Sequence, residues 1–496
     1  EYLITDSIYR DMLSSGSLSR ESGTISRANA VADGKRFFHW YLEFPEVFFE
    51  GGFNLLIGNP PFLGGKKIST HYGDRYLTYL KYYFEPIKGP TCDLVAYFLR
   101  RDHIITREGG FVSLITTNTI SQGETRHGSL DYIMDQKSQI ISANRLVKWP
   151  GKASVFISQV IIYNGTWKQN KYLDGKTVQY ISPYFDDIDI PIRKPFSLDK
   201  NSGLAFKGSL VLGLGFTIKE NEAKEYIARN PTYSNALFPY LNGADLNRSP
   251  IQEPSRWVIN FNNKGEFECK DLYPELYERV EKLVKPERVI LKDKGYREKW
   301  WQFAHRGVAL YEAISGINKV LVSCTVTKHP SWTFNNSNIV FDIATSVVAN
   351  DSFITFSILQ STIHIEWAWI NGSTMKADLR YTPGDCIKTF PFTHLSAETE
   401  SELEQIGETY HEFRRLLLLK LQLGLTKTYN QFHNPLLNSE IAGSDIKNRK
   451  ELQKKFGKET VNLWSHFQKT EDVCSMKEAV QDIKHLRQLH KEMDEI

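Results

Sequence analysis

Four adjacent residues carry the chemistry that the rest of the chain must hold in place: Asn59, Pro60, Pro61 and Phe62. An asparagine side-chain carbonyl and the backbone carbonyl of the following proline are two acceptors on one stiff segment. They suit an exocyclic amino group, which offers two N–H donors. The N6 lone pair of adenine is delocalised into its ring and attacks poorly. Hydrogen bonds to Asn59 and Pro60 would draw that nitrogen toward tetrahedral geometry and aim its lone pair at an electrophilic methyl. Such catalysis works by orientation and pre-set dipoles. Phe62 offers a ring face on which the base can stack. A base reaches such a pocket only by leaving its duplex, at a cost of roughly a few kcal/mol, and stacking returns about 1–3 kcal/mol. Trp149, which also precedes a proline at the end of an expected strand, is the candidate for the opposite face; a core tryptophan is the structural alternative.

The elements around these residues form a recognisable order. Phe53 to Ile57 reads as a buried strand, stopped at Gly58 because two prolines lack N–H groups and have a fixed φ. Asp93 to Arg107 repeats apolar residues at helical spacing, and Gly109-Gly110 is expected to end that helix. Phe111 to Ile115 is β-rich and leads into Thr116-Thr117-Asn118. Strand, loop, helix, strand describes a βαβ unit of a parallel sheet, and ligands of such sheets bind at the strands' carboxyl ends. Further strands are expected near 139–148 and over Val155 to Tyr163.

The whole chain bounds the answer. Its 496 residues suggest two or three domains. With 41% hydrophobic and 24% charged residues it has a globular composition. A net charge of +3 leaves any polyanion site to a local patch. The five cysteines are dispersed, without C-x-x-C spacing, and the histidines show no metal pattern, so neither a disulfide framework nor a metal is indicated. No apolar run reaches the roughly 18 to 20 residues of a membrane span. The sequence opens Glu1-Tyr2-Leu3 and reads as a piece of something longer.

The expected division is a linker or tail over 1–36, a catalytic α/β half over 37–167, a linker over 168–204, an α+β domain over 205–395 and a helical region over 396–496. In the α+β domain Ser209–Leu212, Trp257–Phe261, Lys319–Cys324, Ile339–Phe341 and Ser352–Leu359 read as strands. The tail has helix spacing at Leu403, Ile406, Tyr410 and Phe413, and a last helix over Met476 to Ile496.

Taken together, these stretches resemble the S-adenosylmethionine-dependent amino-group DNA methyltransferases, whose motif is (Asp/Asn/Ser)-Pro-Pro-(Tyr/Phe/Trp). Phe37 to Phe48 is similar to the lead-in of type II restriction–modification fusion enzymes of the IIG/IIL kind and of related phage-defence methyltransferases. Phe238–Asn247, Tyr296–Phe303 and Asp378–Pro383 resemble their target-recognition domain, and Gly424–Asn430 their helical tail. The resemblance implies the catalytic half of a class I, Rossmann-like sheet and adenine-N6 methylation of double-stranded DNA. Asn59, Pro60, Pro61 and Phe62 would be catalytic, with Phe62 and Trp149 stacking on the base. It also implies S-adenosylmethionine as cofactor and a prokaryotic cytoplasm as location. An upstream nuclease and cofactor-binding region would belong to the parent chain. Two alternatives remain: a DNA specificity module inactive alone, and a methyltransferase of RNA or protein amides.

The family's aromatic-x-Gly-x-Gly cofactor turn is not found in residues 1–58. One Gly-x-Gly elsewhere, Val211-Leu-Gly213-Leu-Gly215-Phe216, leaves open a permuted order; truncation of the cofactor half is the favoured expectation. For DNA contact, Lys292, Arg297, Trp300, Trp301 and Arg306 lie in a basic, aromatic-rich stretch, with Lys328 and Arg380 in later loops. A helix with packed rings and a solvated charged face is the alternative for the first group.

Overall fold

The computed structural model describes residues 10, 13–14, 22–36, 38–85, 87, 91–150, 156–188, 195–375, 378–444, 449–470 and 474–496. Phe37, at the start of the expected lead-in, and the Gly151–Val155 part of the stretch after Trp149 lie outside them. The chain divides into two units: residues 1–116, 128–145 and 158–187, and residues 117–127, 146–157 and 188–496.

The first unit is built on a six-stranded sheet in the order β1-β2-β4-β3-β5-β6. Its strands are β1 (Phe53–Gly58), β2 (Thr106–Thr117), β3 (Gln139–Lys148), β4 (Phe156–Tyr163), β5 (Lys171–Leu173) and β6 (Lys176–Val178). Strands β5 and β6 fall in the stretch expected to be a linker. They form a hairpin closed at Asp174-Gly175, both at positive φ, and β5 pairs parallel to β3. Helices α1 (Gly65–Tyr72), α2 (Asp74–Tyr83) and α3 (Leu94–Ile105) lie between β1 and β2. β1 and β2 pair in parallel, as a βαβ unit requires. Asp93 caps α3 by accepting from the Val95 N–H at 3.2 Å. Leu94, Val95, Ala96, Tyr97 and Leu99 are buried.

The two glycines expected to stop α3 do something else. The helix ends at Ile105, Thr106 is already extended, and β2 begins there. Gly109 and Gly110 sit in a β-bulge: Phe53 faces Thr106 but Leu55 faces Phe111, so two steps on β1 oppose five on β2. Gly109 has φ +77°, and a Cβ on Gly110 would come within 2.8 Å of the Phe53 carbonyl oxygen. Asn164 closes the bulge. Its Nδ2 donates to the carbonyls of Thr106 (3.0 Å) and Arg107 (3.2 Å), and its Oδ1 accepts from Ser138.

The sheet's two faces differ. Val112, Leu114, Val160 and Ile162 are buried on one. On the other, Leu55 is 50% and Ile57 75% exposed, and Ser113, Ile115 and Ile161 are half-buried. Parallel strands normally have both faces covered.

The second unit holds three small sheets and a helical core. Its strands are β7 (Ala205–Lys207), β8 (Thr217–Ile218), β9 (Leu237–Leu241), β10 (Arg256–Ile259), β11 (Lys319–Cys324), β12 (Val326–Thr327), β13 (Thr333–Asn336), β14 (Val340–Phe341), β15 (Thr345–Val348), β16 (Ser373–Met375) and β17 (Asp378–Arg380). They are ordered β14-β9-β10-β8, β13-β11-β15-β7 and β12-β17-β16. Its principal helices are α4 (Gly243–Arg248), α5 (Pro274–Leu283), α6 (Phe353–Gln360), α7 (Ala397–Leu421), α8 (Leu425–Phe432) and α9 (Met476–Glu495). Helix α6 replaces the strand expected at Ser352–Leu359: Ser352 is its N-cap, accepting from the Ile354 N–H at 3.0 Å, and the helix packs on α7. Ser209–Leu212 forms only isolated bridges, to Asp342 and His305. The tail helices α7 and α9 fall where their periodicity places them.

At the centre of this unit Arg414 is buried, and among the described residues no carboxylate pairs with it. Nη1 donates to Gln360 Oε1 (3.2 Å) and Tyr429 Oη (3.0 Å), and Nη2 donates to the Trp332 carbonyl. Phe356 and Tyr410 present their rings to the guanidinium at 5.4 and 5.6 Å.

Asn164→Ala removes the donors to two bulge carbonyls. It is expected to destabilise the first unit by about 1–3 kcal/mol, read as an earlier urea midpoint by circular dichroism. An unchanged midpoint would show that solvent satisfies the bulge equally well.

Candidate active site

Strand β1 delivers Asn59 to the sheet's carboxyl end, and three contacts fix the loop that follows. Pro60 is buried while Asn59, Pro61 and Phe62 stay exposed. The Leu63 carbonyl accepts from the Leu94 N–H at 2.9 Å, tying the loop to the start of α3. Gly65 lies against the Thr91–Cys92 backbone, where a Cβ would meet the Cys92 carbonyl oxygen at 2.5 Å. Gly58, at the end of β1, lies against Leu114, whose Cδ2 would sit 3.0 Å from an added Cβ.

Asn59 borders a cavity of about 500 Å³ on the open face of the sheet. Ile57 and Ile115 form apolar wall, and Ser113, Ser142, Asn144 and Gln159 supply polar groups. Asn144 Nδ2 donates to Gln159 Oε1 at 3.1 Å across β3 and β4. Trp149 follows the last residue of β3 and is half-buried, with Pro150 exposed beyond it.

Two residues that follow β2 hold a distant strand. Gln122 reads Thr374 on β16 with both ends of its amide: Oε1 accepts from the Thr374 N–H and Nε2 donates to Oγ1, each at 2.9 Å. Asn118 Nδ2 donates to the same Oγ1 at 2.9 Å. Nothing in the local sequence signals this clamp, because its partners are some 250 residues apart.

The Gly-x-Gly turn does not fit a nucleotide. A Cβ on Gly213 would lie 2.9 Å from Val284 Cγ1, and one on Gly215 2.5 Å from Leu283 Cβ. Arg288 seals the turn: Nε donates to the Leu212 carbonyl (2.7 Å) and Nη2 to that of Val211 (3.0 Å). The glycines admit the end of α5, so the space a phosphate would need is filled by protein.

The basic, aromatic-rich stretch divides into separate roles. Trp300 is 4% exposed and belongs to the core with Tyr277 and Phe303, which leaves no ring face for a base and corrects its assignment as a DNA contact. Trp301 is half-buried, its indole donating to the Lys264 carbonyl at 3.1 Å. Arg297 donates to the carbonyls of Leu291 and Lys292, both at 2.7 Å, and Arg306 to Asn263 Oδ1. Lys292 remains exposed, as do Lys328 and Arg380. Lys328 Nζ donates to Asn430 Oδ1 at 2.6 Å, an oxygen shared with His329 Nε2 at 3.0 Å. Burial lowers the His329 pKa, favouring the neutral ring whose Nε2–H this contact uses. Among the described residues no cluster of His, Cys, Asp and Glu could hold a metal, and no helix is long and apolar enough to cross a membrane.

Residues 4–156 match the family described as the Eco57I restriction-modification methylase, and residues 198–394 match the MmeI target recognition domain. DNA methyltransferase A of Bacillus subtilis (strain 168) is 24% identical over 385 residues, covering 71% of this chain and 40% of that protein. The Type IIL restriction-modification enzyme MmeI, solved in complex with DNA, aligns with a TM-score of 0.64 at 17% identity, over 89% of this chain and 57% of that one. At that identity the likeness is one of fold. The chain spans well under two thirds of the length of either relative.

Gly215→Ala is expected to lower the thermal midpoint through overpacking against Leu283, by an amount equivalent to about 1–3 kcal/mol. An unchanged melt together with weakened S-adenosylmethionine binding by calorimetry would restore the turn as a cofactor site.

Proposed function

From a chain that joins an Eco57I-type restriction–modification methylase region to an MmeI-type target recognition domain and a helical tail, we infer a site-specific DNA adenine-N6 methyltransferase of a restriction–modification system. The observation that carries this reading is the Asn59 amide, exposed at the mouth of a cavity on a loop that buried Pro60 holds rigid. Asn59 Oδ1 and the Pro60 carbonyl accept the two N–H groups of a flipped adenine, and Phe62 stacks on its ring. Trp149 is the candidate for the opposite face. The amino proton is lost after the nitrogen has been alkylated, so no general base is required before attack.

The methyl donor implied by the family is S-adenosylmethionine. Among the described residues no cradle for it is found, since the Gly-x-Gly turn is packed shut. We assign its binding to a cofactor half outside these residues. That half would pair with the edge of β1 that no described strand occupies, and cover Leu55 and Ile57. The same open face favours a second reading, in which this chain alone binds DNA without methylating it. Double-stranded DNA is the partner in both.

In the full-length enzyme Asn59→Ala is expected to lower kcat by at least about 10²–10³-fold while duplex affinity changes only a few fold. Normal methylation by that variant would sink the role of Asn59. With 2-aminopurine at the target position, flipping should give a fluorescence rise that Trp149→Ala alters. If signal and turnover both survive that substitution, Trp149 does not stack on the base.

A further inference from the structure

Cations from three separate segments border a cavity of about 480 Å³ in the second unit, and a fourth stands on the strand paired with one of its walls. Arg248 ends α4, Lys328 follows β12, and Lys427 stands in the first turn of α8; all three border the cavity and all are exposed. Arg380 on β17 lies directly opposite Val326, another bordering residue, and directly opposed residues of an antiparallel pair share a face. Asn247 and Thr426 add neutral polar groups, and Asp378 is the one acid among the bordering residues.

The convergence is built into the backbone. Gly424 lets the start of α8 approach Arg248 so closely that a Cβ would lie 2.4 Å from the Arg248 carbonyl carbon. Helix α8 has no side-chain cap at its N-terminus. Lys328 is held by a neutral acceptor, Asn430 Oδ1, so its charge is not cancelled there. Sequence reading singled out Lys328 and Arg380 but not Arg248 or Lys427, which stand far from both in the chain.

We propose that Arg248, Lys328, Arg380 and Lys427 form an anchor for the DNA phosphate backbone. The proposal rests on the DNA reading above and names a binding surface within it. The ligand is a polyanion rather than a small phosphate because the cations are exposed and spread over several elements. An exposed cation gains little from one mobile anion, but on a polyanion it gains from release of condensed counterions. Contacts of this kind fix orientation on the duplex and leave base reading to other groups.

The test is fluorescence anisotropy of a labelled 30-base-pair duplex of arbitrary sequence, titrated from about 50 to 200 mM salt with the whole chain. The proteins are the unsubstituted chain, the double variant Arg248→Gln/Lys427→Gln, and a charge-matched control, Lys477→Gln/Lys484→Gln, altering exposed residues of α9. Losing two phosphate contacts should reduce the slope of log K against log salt by about 1.8, so the affinity deficit shrinks about 12-fold between those salts. The control should keep the unsubstituted slope. An unchanged slope in the Arg248/Lys427 variant overturns the anchor and leaves the DNA reading standing. Displacement of duplex by millimolar inorganic phosphate at constant ionic strength, from the unsubstituted chain only, overturns it in favour of a small-anion site. If the unsubstituted chain shows no salt-dependent duplex binding, the DNA reading falls and the anchor with it.

Discussion

Two consecutive prolines without N–H groups are the constraint on which the first unit depends. At Pro60 and Pro61 the backbone of β1 cannot continue a ladder, so the chain must leave the sheet there. Burial of Pro60 and the hydrogen bond from Leu94 to the Leu63 carbonyl decide where it goes. The result places a side-chain amide and a main-chain carbonyl in consecutive positions with little freedom between them. In the role proposed for it, such a segment would need little further ordering at the moment of reaction.

The second unit depends on a different device, the buried arginine. Arg414 and Arg288 both lie among neutral acceptors: backbone carbonyls in both cases, with a glutamine and a tyrosine added for Arg414. A guanidinium offers five donors in a fixed fork and can join segments far apart in sequence. Arg414 ties the Trp332 backbone to α6, α7 and α8, and Arg288 ties the Gly-x-Gly turn to the Gln302 carbonyl. Removing either would leave several buried acceptors unpaired, a larger loss than the bonds' own net strength.

How much of this was legible in the sequence depended on whether the signal was local. The βαβ unit, β11 and the tail helices follow from apolar periodicity, and the candidacy of Asn59–Phe62 rests on residue type alone. Ser352–Leu359 was misread because α6 is apolar on most sides, and a short apolar run does not distinguish a buried helix from a buried strand. Gly109 and Gly110 were read as a helix stop, although their role arises from a bulge opposite β1 that no local pattern encodes. In the same way Trp300 and Arg288 look like surface groups beside lysines, and only the fold makes them interior. The Gln122–Thr374 clamp and the meeting of Arg248 with Lys427 are products of tertiary structure and leave no mark on neighbouring residues.

The uneven sheet of the first unit also bears on handling the protein. Among the described residues strand β1 is at once an edge, with one row of backbone groups facing outward, and the bearer of the exposed Leu55 and Ile57. An edge of this kind is a template for another chain's strand, and the apolar face adds affinity to such pairing. Left uncovered, such an edge is expected to favour pairing of two copies through β1 in concentrated solution. Whatever covered that surface would act as a solubility device as well as a neighbour to the Asn59–Phe62 loop.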